Sequence, residues 1–137
     1  MPIERTRHRV EPSEWARMVE AAYGVLVARA SRRQFVTYAE LCMLANLPRE
    51  PAGPLVSDVL FDVAKRSVRE HGCMLSSILI DTNGEPGAGF YDRAQALGLL
   101  PKKANARRRL SFWSGQMQAA FDAFEADVAH PTGGAGR

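Results

Sequence analysis

Cysteine and histidine are scarce in this sequence of 137 residues. The two cysteines, Cys42 and Cys73, do not make a disulfide framework. A domain of this length can bury roughly two thirds of its unfolded surface, so it needs no disulfide or metal for stability. We therefore expect both thiols to be free and the protein to be cytoplasmic.

Long apolar runs are also missing. The longest, residues 21–30, is interrupted by Arg29 and is far shorter than the ~18 residues that span a bilayer. The N-terminal residues MPIERTRHRV are charged and lack the apolar core of a signal peptide. The sequence therefore predicts no membrane association.

Metal and cofactor motifs are absent from the sequence. His8, His71 and His130 lie far apart, and neither Cys-x-x-Cys nor His-Glu-x-x-His occurs. The glycines of residues 84–89 lack the Lys-Ser/Thr that follows a phosphate-binding loop, which favours an ordinary turn. We expect no metal and no cofactor.

Candidate nucleophiles are few. His71 and Cys73 could form a thiol–imidazole pair, but no third group is evident to orient the imidazole. Ser76 and Ser77 are not surrounded by a Gly-x-Ser-x-Gly pattern. We therefore predict that the protein is not an enzyme.

The charge distribution is the strongest functional signal. The net charge is +3, and residues 102–109, called the basic segment below, contain five cations and no acid. These are Lys102, Lys103, Arg107, Arg108 and Arg109. Each could neutralise one phosphate of a nucleic acid. The alternative is a solvated basic loop that leads into a helix.

Helical patterns fill the first half of the chain. A first helix should begin at Ser13, because apolar residues recur from Trp15 to Ala30 at helical spacing. Thr37-Tyr38-Ala39-Glu40 has the form of a capping box and predicts a second helix that ends near Leu47. A third helix should follow the proline-rich turn of residues 48–54 and end at Gly72.

The second half predicts strands and then helices. Residues 74–81 suggest a strand, and Phe90 with Tyr91 suggests the return strand of a loose hairpin. A short helix should cover residues 92–99. A long last helix carries apolar residues at spacings of three and four, which predict a buried seam. The seam consists of Leu110, Trp113, Met117, Phe121, Phe124 and Val128.

Residues 36–91 resemble the DNA-binding domain of O6-alkylguanine-DNA alkyltransferases and alkyltransferase-like proteins. Val36-Thr37-Tyr38-Ala39-Glu40-Leu41 is similar to the family's V-[ST]-Y-[GA]-E-L segment, and Ala52-Gly53 stands where the family has Val-Gly. The resemblance implies a winged helix, in which three helices precede a β-hairpin.

The functional residues of that family do not carry over. Its Pro-Cys-His-Arg would fall on residues 75–78, which are Leu-Ser-Ser-Ile, so the alkyl-accepting cysteine is absent. Its base-stack arginine would fall at Glu50. The resemblance therefore implies a fold without alkyl transfer. Residues 75–87, with the late helix around Trp113, also resemble a family of small uncharacterised bacterial proteins.

The third helix has an uneven charge. Its first half offers Ser57, Asp58 and Asp62, and carboxylates repel phosphate. Its second half holds the cations Lys65, Arg66 and Arg69. If nucleic acid binds, we expect phosphate contacts from the basic residues and no base-specific recognition by this helix.

Together these patterns predict an α+β, mostly helical, winged-helix-like protein with a long C-terminal helix. Residues 1–11 should form a flexible basic arm, 12–129 one domain and 130–137 a disordered tail. The leading hypothesis is non-catalytic nucleic-acid binding. The alternative is a protein–protein interaction module, such as an adaptor, an immunity protein or an inhibitor of a cellular defence system. We also expect a homodimer paired through the last helix.

Overall fold

A computed structural model of the protein describes the backbone of residues 8–48 and 54–136 and the side chains of residues 8–48 and 54–125. The elements, in chain order, are α1 (Pro12–Ser31), β1 (Val36–Thr37), α2 (Tyr38–Leu44), α3 (Pro54–His71), a 3₁₀ helix (Leu75–Ile78), β2 (Leu79–Ile80), α4 (Phe90–Ala96) and α5 (Ala106–Gly136). The prediction of a mostly helical α+β protein is confirmed.

The main core lies between α1, α3 and α5. Helix α1 begins with Pro12 at its first position, where the missing N–H of proline costs nothing. The apolar face of α1 is buried as its spacing predicts, with Met18, Ala22 and Leu26 almost wholly inaccessible to solvent. The 3₁₀ helix packs against α1, α3 and α5, so the core continues beneath it.

The capping box at the start of α2 is confirmed. The Thr37 hydroxyl accepts a hydrogen bond from the Glu40 amide at 3.1 Å, and the Thr37 amide donates to Glu40 Oε1 at 3.0 Å. The predicted end near Leu47 is wrong, because α2 ends at Leu44. Asn46 turns the chain with a φ of 54°, and Arg17 donates to the carbonyl oxygens of Ala45 and Asn46.

Helix α3 follows the predicted course, with Gly72 in the left-handed conformation just beyond its end. The predicted strand over residues 74–81 is largely wrong. Only Leu79–Ile80 is extended, and it pairs in parallel with Val36–Thr37. The residues before it form a buried 3₁₀ helix, because the Leu75 amide donates to Ser67 Oγ and the Met74 amide to Gln116 Oε1.

The predicted return strand at Phe90 and Tyr91 is also wrong, since both residues begin α4. One antiparallel bridge, between Ile80 and Pro86, stands where a hairpin was expected. Gly89, with a φ of 84°, redirects the chain and allows Phe90 to enter a second apolar cluster. That cluster contains Ala64, Met74, Phe90, Ala94 and Leu100.

Arg93 fastens α4 to α3. Its guanidinium is buried and donates to Ser57 Oγ at 3.3 Å and to the Ala88 carbonyl at 3.4 Å. Burial lowers the pKa of Arg93 to about 10. This buried guanidinium therefore links α4 to Ser57 of α3.

The seam of α5 starts later than predicted. Phe121 and Phe124 are buried, and Trp113 and Met117 are half-buried. Leu110 is 58% exposed and does not belong to the buried seam. The side chain of Val128 lies outside the described residues, as does most of the predicted arm of residues 1–11, which stays a prediction. The backbone of the tail predicted over residues 130–137 is helical as far as Gly136, where α5 ends.

Candidate nucleic-acid interface

The basic segment connects α4 to α5. Lys102 and Lys103 lie in the turn between the two helices, and the three arginines lie in the first turn of α5. Asn105 precedes the helix, and its Oδ1 accepts the Arg108 amide at 2.8 Å. This cap fixes the direction in which the helix starts. Lys102, Lys103, Arg107 and Arg108 are exposed, and Arg109 is half-buried.

The cations of this segment form no ion pair with a described carboxylate. Among the described side chains, no carboxylate forms an ion pair with any of its five cations. Arginines in the first turn also add to the positive end of the helix dipole, where acids are the usual choice. This arrangement costs stability and concentrates positive potential at the start of α5.

An open cleft of about 720 Å³ lies beside the segment. Its lining includes Tyr91, Arg109, Leu110 and Trp113. The Arg109 guanidinium lies over the Tyr91 ring, 5.4 Å from its centre. Burial raises the pKa of Tyr91, and the charge of Arg109 acts in the opposite direction. The Trp113 indole N–H donates to the Ser77 carbonyl at 2.8 Å, which fixes that ring.

The predicted cations of α3 have intramolecular partners. Lys65 pairs with Asp62 at 3.2 Å, and Arg69 lies 3.6 Å from Glu70. Arg66 pairs with Glu20 of α1 at 2.8 Å and stacks over the Tyr23 ring of α1 at 3.9 Å. Of the three, Arg66 therefore serves the α1–α3 contact most directly. No described contact joins these residues to the basic segment.

The acids at the start of α3 are partnered as well. Asp58 Oδ2 lies 2.7 Å from His8 Nε2, and Asp62 Oδ2 accepts the Trp15 indole N–H at 2.8 Å. The His8 and Trp15 rings stack at 5.9 Å. These acids link His8, and Trp15 of α1, to α3, a role that the sequence pattern does not indicate because the partners lie about 50 residues away.

The environment of the candidate nucleophiles is apolar. Cys73 is buried, and burial raises the pKa of its thiol, which disfavours the reactive thiolate. The His71 ring lies against Phe124, with ring centres 4.5 Å apart. Ser76 and Ser77 are buried within the 3₁₀ helix, as are Leu75 and Ile78, so residues 75–78 present no exposed side chain. Glu50 lies outside the described residues.

The described residues were also compared with the requirements of a metal site and of a membrane-spanning helix. Among the described residues, no group of three histidine, cysteine, aspartate or glutamate side chains could hold a metal ion. In the same part of the chain, no helix combines the length and apolar character needed to cross a membrane.

Comparison of the chain with known protein families, with curated proteins and with solved structures found no significant match.

Proposed function

We propose that this protein is a non-catalytic, sequence-tolerant nucleic-acid-binding protein that uses the basic segment to contact phosphates. The observation that supports this most is the set of five cations that lack a described carboxylate partner at the start of α5. Phosphates are the partners that such an uncompensated cluster suits best, because each contact releases condensed counterions.

The same proposal assigns a smaller role to α3. Lys65, Arg66 and Arg69 would contribute less, because each has an intramolecular carboxylate within ion-pair distance. A winged-helix-like arrangement is part of the proposal, with the bridge between Ile80 and Pro86 in place of a full hairpin. Nucleic acid would then be held from the α4–α5 side and not by a recognition helix in the major groove.

A binding assay at two salt concentrations tests this function. We expect the protein to retard random-sequence DNA at 50 mM salt and to lose affinity steeply at 200 mM, with little dependence on sequence. An affinity that is the same at both salt concentrations, or no binding at 50 mM salt, would contradict the proposal.

A protein-interaction module is the second candidate, and one observation favours it. Met43 and Leu44 on α2 are adjacent apolar residues that are 71% and 52% exposed. Adjacent exposed apolar side chains are typical of contact surfaces. Under this candidate, DNA would bind only weakly, with midpoints above ~100 μM at physiological salt.

Homodimer formation remains a proposal within both candidates. The exposed Leu110 at the start of α5 is one apolar contact that a second copy could cover. Light scattering at micromolar concentration should then give twice the chain mass of 15.1 kDa. A scattering mass equal to one chain would exclude the dimer.

A further inference from the structure

The cleft beside the basic segment combines flat apolar surface with positive charge. Tyr91 and Trp113 are half-buried aromatic residues on its wall, and Leu110 and Pro86 add apolar surface. The cleft is open to solvent, and its volume of about 720 Å³ leaves room for a planar base against this wall. A purely electrostatic phosphate site would need no such wall.

The polar groups of the cleft suit a nucleobase. The Arg109 guanidinium, held over Tyr91, offers a planar cationic surface on which a base can stack. Glu85, which is exposed, places a carboxylate on the same lining and can accept a hydrogen bond from a base N–H, such as N3–H of thymine or uracil.

The cleft adjoins the cations that we propose to contact phosphates. Arg109 belongs both to the cleft and to the basic segment, and Arg107 and Arg108 precede it in the same helical turn. A strand whose phosphates lie on the exposed cations would bring its bases within reach of this wall. In a duplex, those base faces are already stacked on neighbouring pairs.

We propose that the cleft receives an unpaired base, so that the preferred ligand is a single-stranded nucleic acid. This inference rests on the proposed function, because the basic segment must hold the backbone beside the cleft. Stacking on aromatic side chains and on arginine is tolerant of sequence, which agrees with a binder that does not discriminate bases.

An abasic oligonucleotide separates stacking from charge. We would compare a twelve-residue thymidine oligomer with an abasic oligomer of equal length and phosphate number, by fluorescence anisotropy of a terminal label across several salt concentrations. Stacking of one base adds at least about fivefold in affinity. We therefore expect the thymidine oligomer to bind at least fivefold more tightly, with the same dependence on salt.

The outcomes of this comparison are distinct. Equal affinities with a shared salt dependence would overturn the cleft inference and leave phosphate binding by the basic segment intact. Failure of both oligomers to bind would overturn the proposed function together with the inference. A uridine oligomer of RNA tests the other source of the same chemistry, and an affinity at least fivefold above that of the abasic oligomer, for either strand type, supports the inference.

Two variants locate the effect. Tyr91→Leu keeps an apolar side chain but removes the ring, so the affinity for the thymidine oligomer should fall towards that for the abasic one. Met43→Ser, on the exposed face of α2, is the matched control and should not change either affinity. Circular dichroism confirms that each variant is folded. A folded Tyr91→Leu variant that keeps the full preference would overturn the role of this ring.

Discussion

Trp113→Ala should destabilise the protein more than any exposed substitution on α5. The indole ring packs against the second apolar cluster, and its N–H donates to the Ser77 carbonyl at 2.8 Å. Truncation of a core tryptophan costs ~3–5 kcal/mol, and because Trp113 is half-buried we expect a loss of about 3 kcal/mol in the free energy of unfolding. Trp113→Phe keeps most of the packing but removes the donor, so it should cost about 1–2 kcal/mol.

Urea unfolding followed by circular dichroism measures these differences. Leu110→Ala is the matched control, because Leu110 lies one turn earlier on the same apolar spacing but is exposed; it should change stability by less than about 0.5 kcal/mol. If Trp113→Ala unfolds at the wild-type midpoint, or if Leu110→Ala is the more damaging change, the packing of α5 described above is wrong.

Three further substitutions and one reaction test other parts of the structure. Thr37→Ala removes the hydroxyl that caps α2 and should lower the free energy of unfolding by about 1 kcal/mol in urea melts; an unchanged midpoint would show that the capping box contributes nothing. Gly24→Ala, inside α1 with open space around it, should raise stability by about 0.5–1 kcal/mol. Gly89→Ala should instead cost ~1–2 kcal/mol, because φ is 84° there and a Cβ would lie 2.8 Å from Arg93 Nη1; the reverse order of the two glycine variants would contradict this geometry. Exposure to DNA that contains O6-methylguanine should leave the protein mass unchanged, because the thiol of Cys73 is buried. A stoichiometric methyl adduct on Cys73 would show that this thiol is a nucleophile and would contradict the prediction.

Local signals in the sequence predict the elements that depend on local contacts. Both bonds of the capping box lie within four residues, and the buried face of α1 follows from helical spacing alone. Residues 74–81 mislead because a short, continuously apolar run fits a strand as well as a buried helical turn. The 3₁₀ conformation depends on Ser67 and Gln116, which are eight and 42 residues distant from their partners.

In the candidate site, too, the features set by neighbouring residues can be predicted from the sequence and those set by distant residues cannot. The basic segment is contiguous in sequence, so its charge is visible without a structure. The cleft is not, because Tyr91 was expected on a strand and not at the start of α4. Likewise, the carboxylates of Asp58 and Asp62 repel phosphate on a bare helix, whereas here they bind His8 and Trp15. Such long-range partners are set by packing and not by local pattern.

The central claim is that the basic segment holds phosphates, and the salt dependence of binding tests it most directly. Five phosphate contacts give a slope of roughly −4 to −5 in log K against log salt on duplex DNA, and replacement of Arg107, Arg108 and Arg109 with alanine should make it shallower by about 3. A variant that removes Lys65 and Arg69 should change the slope much less, because both cations have carboxylate partners. An unchanged slope in the folded triple variant would contradict the account.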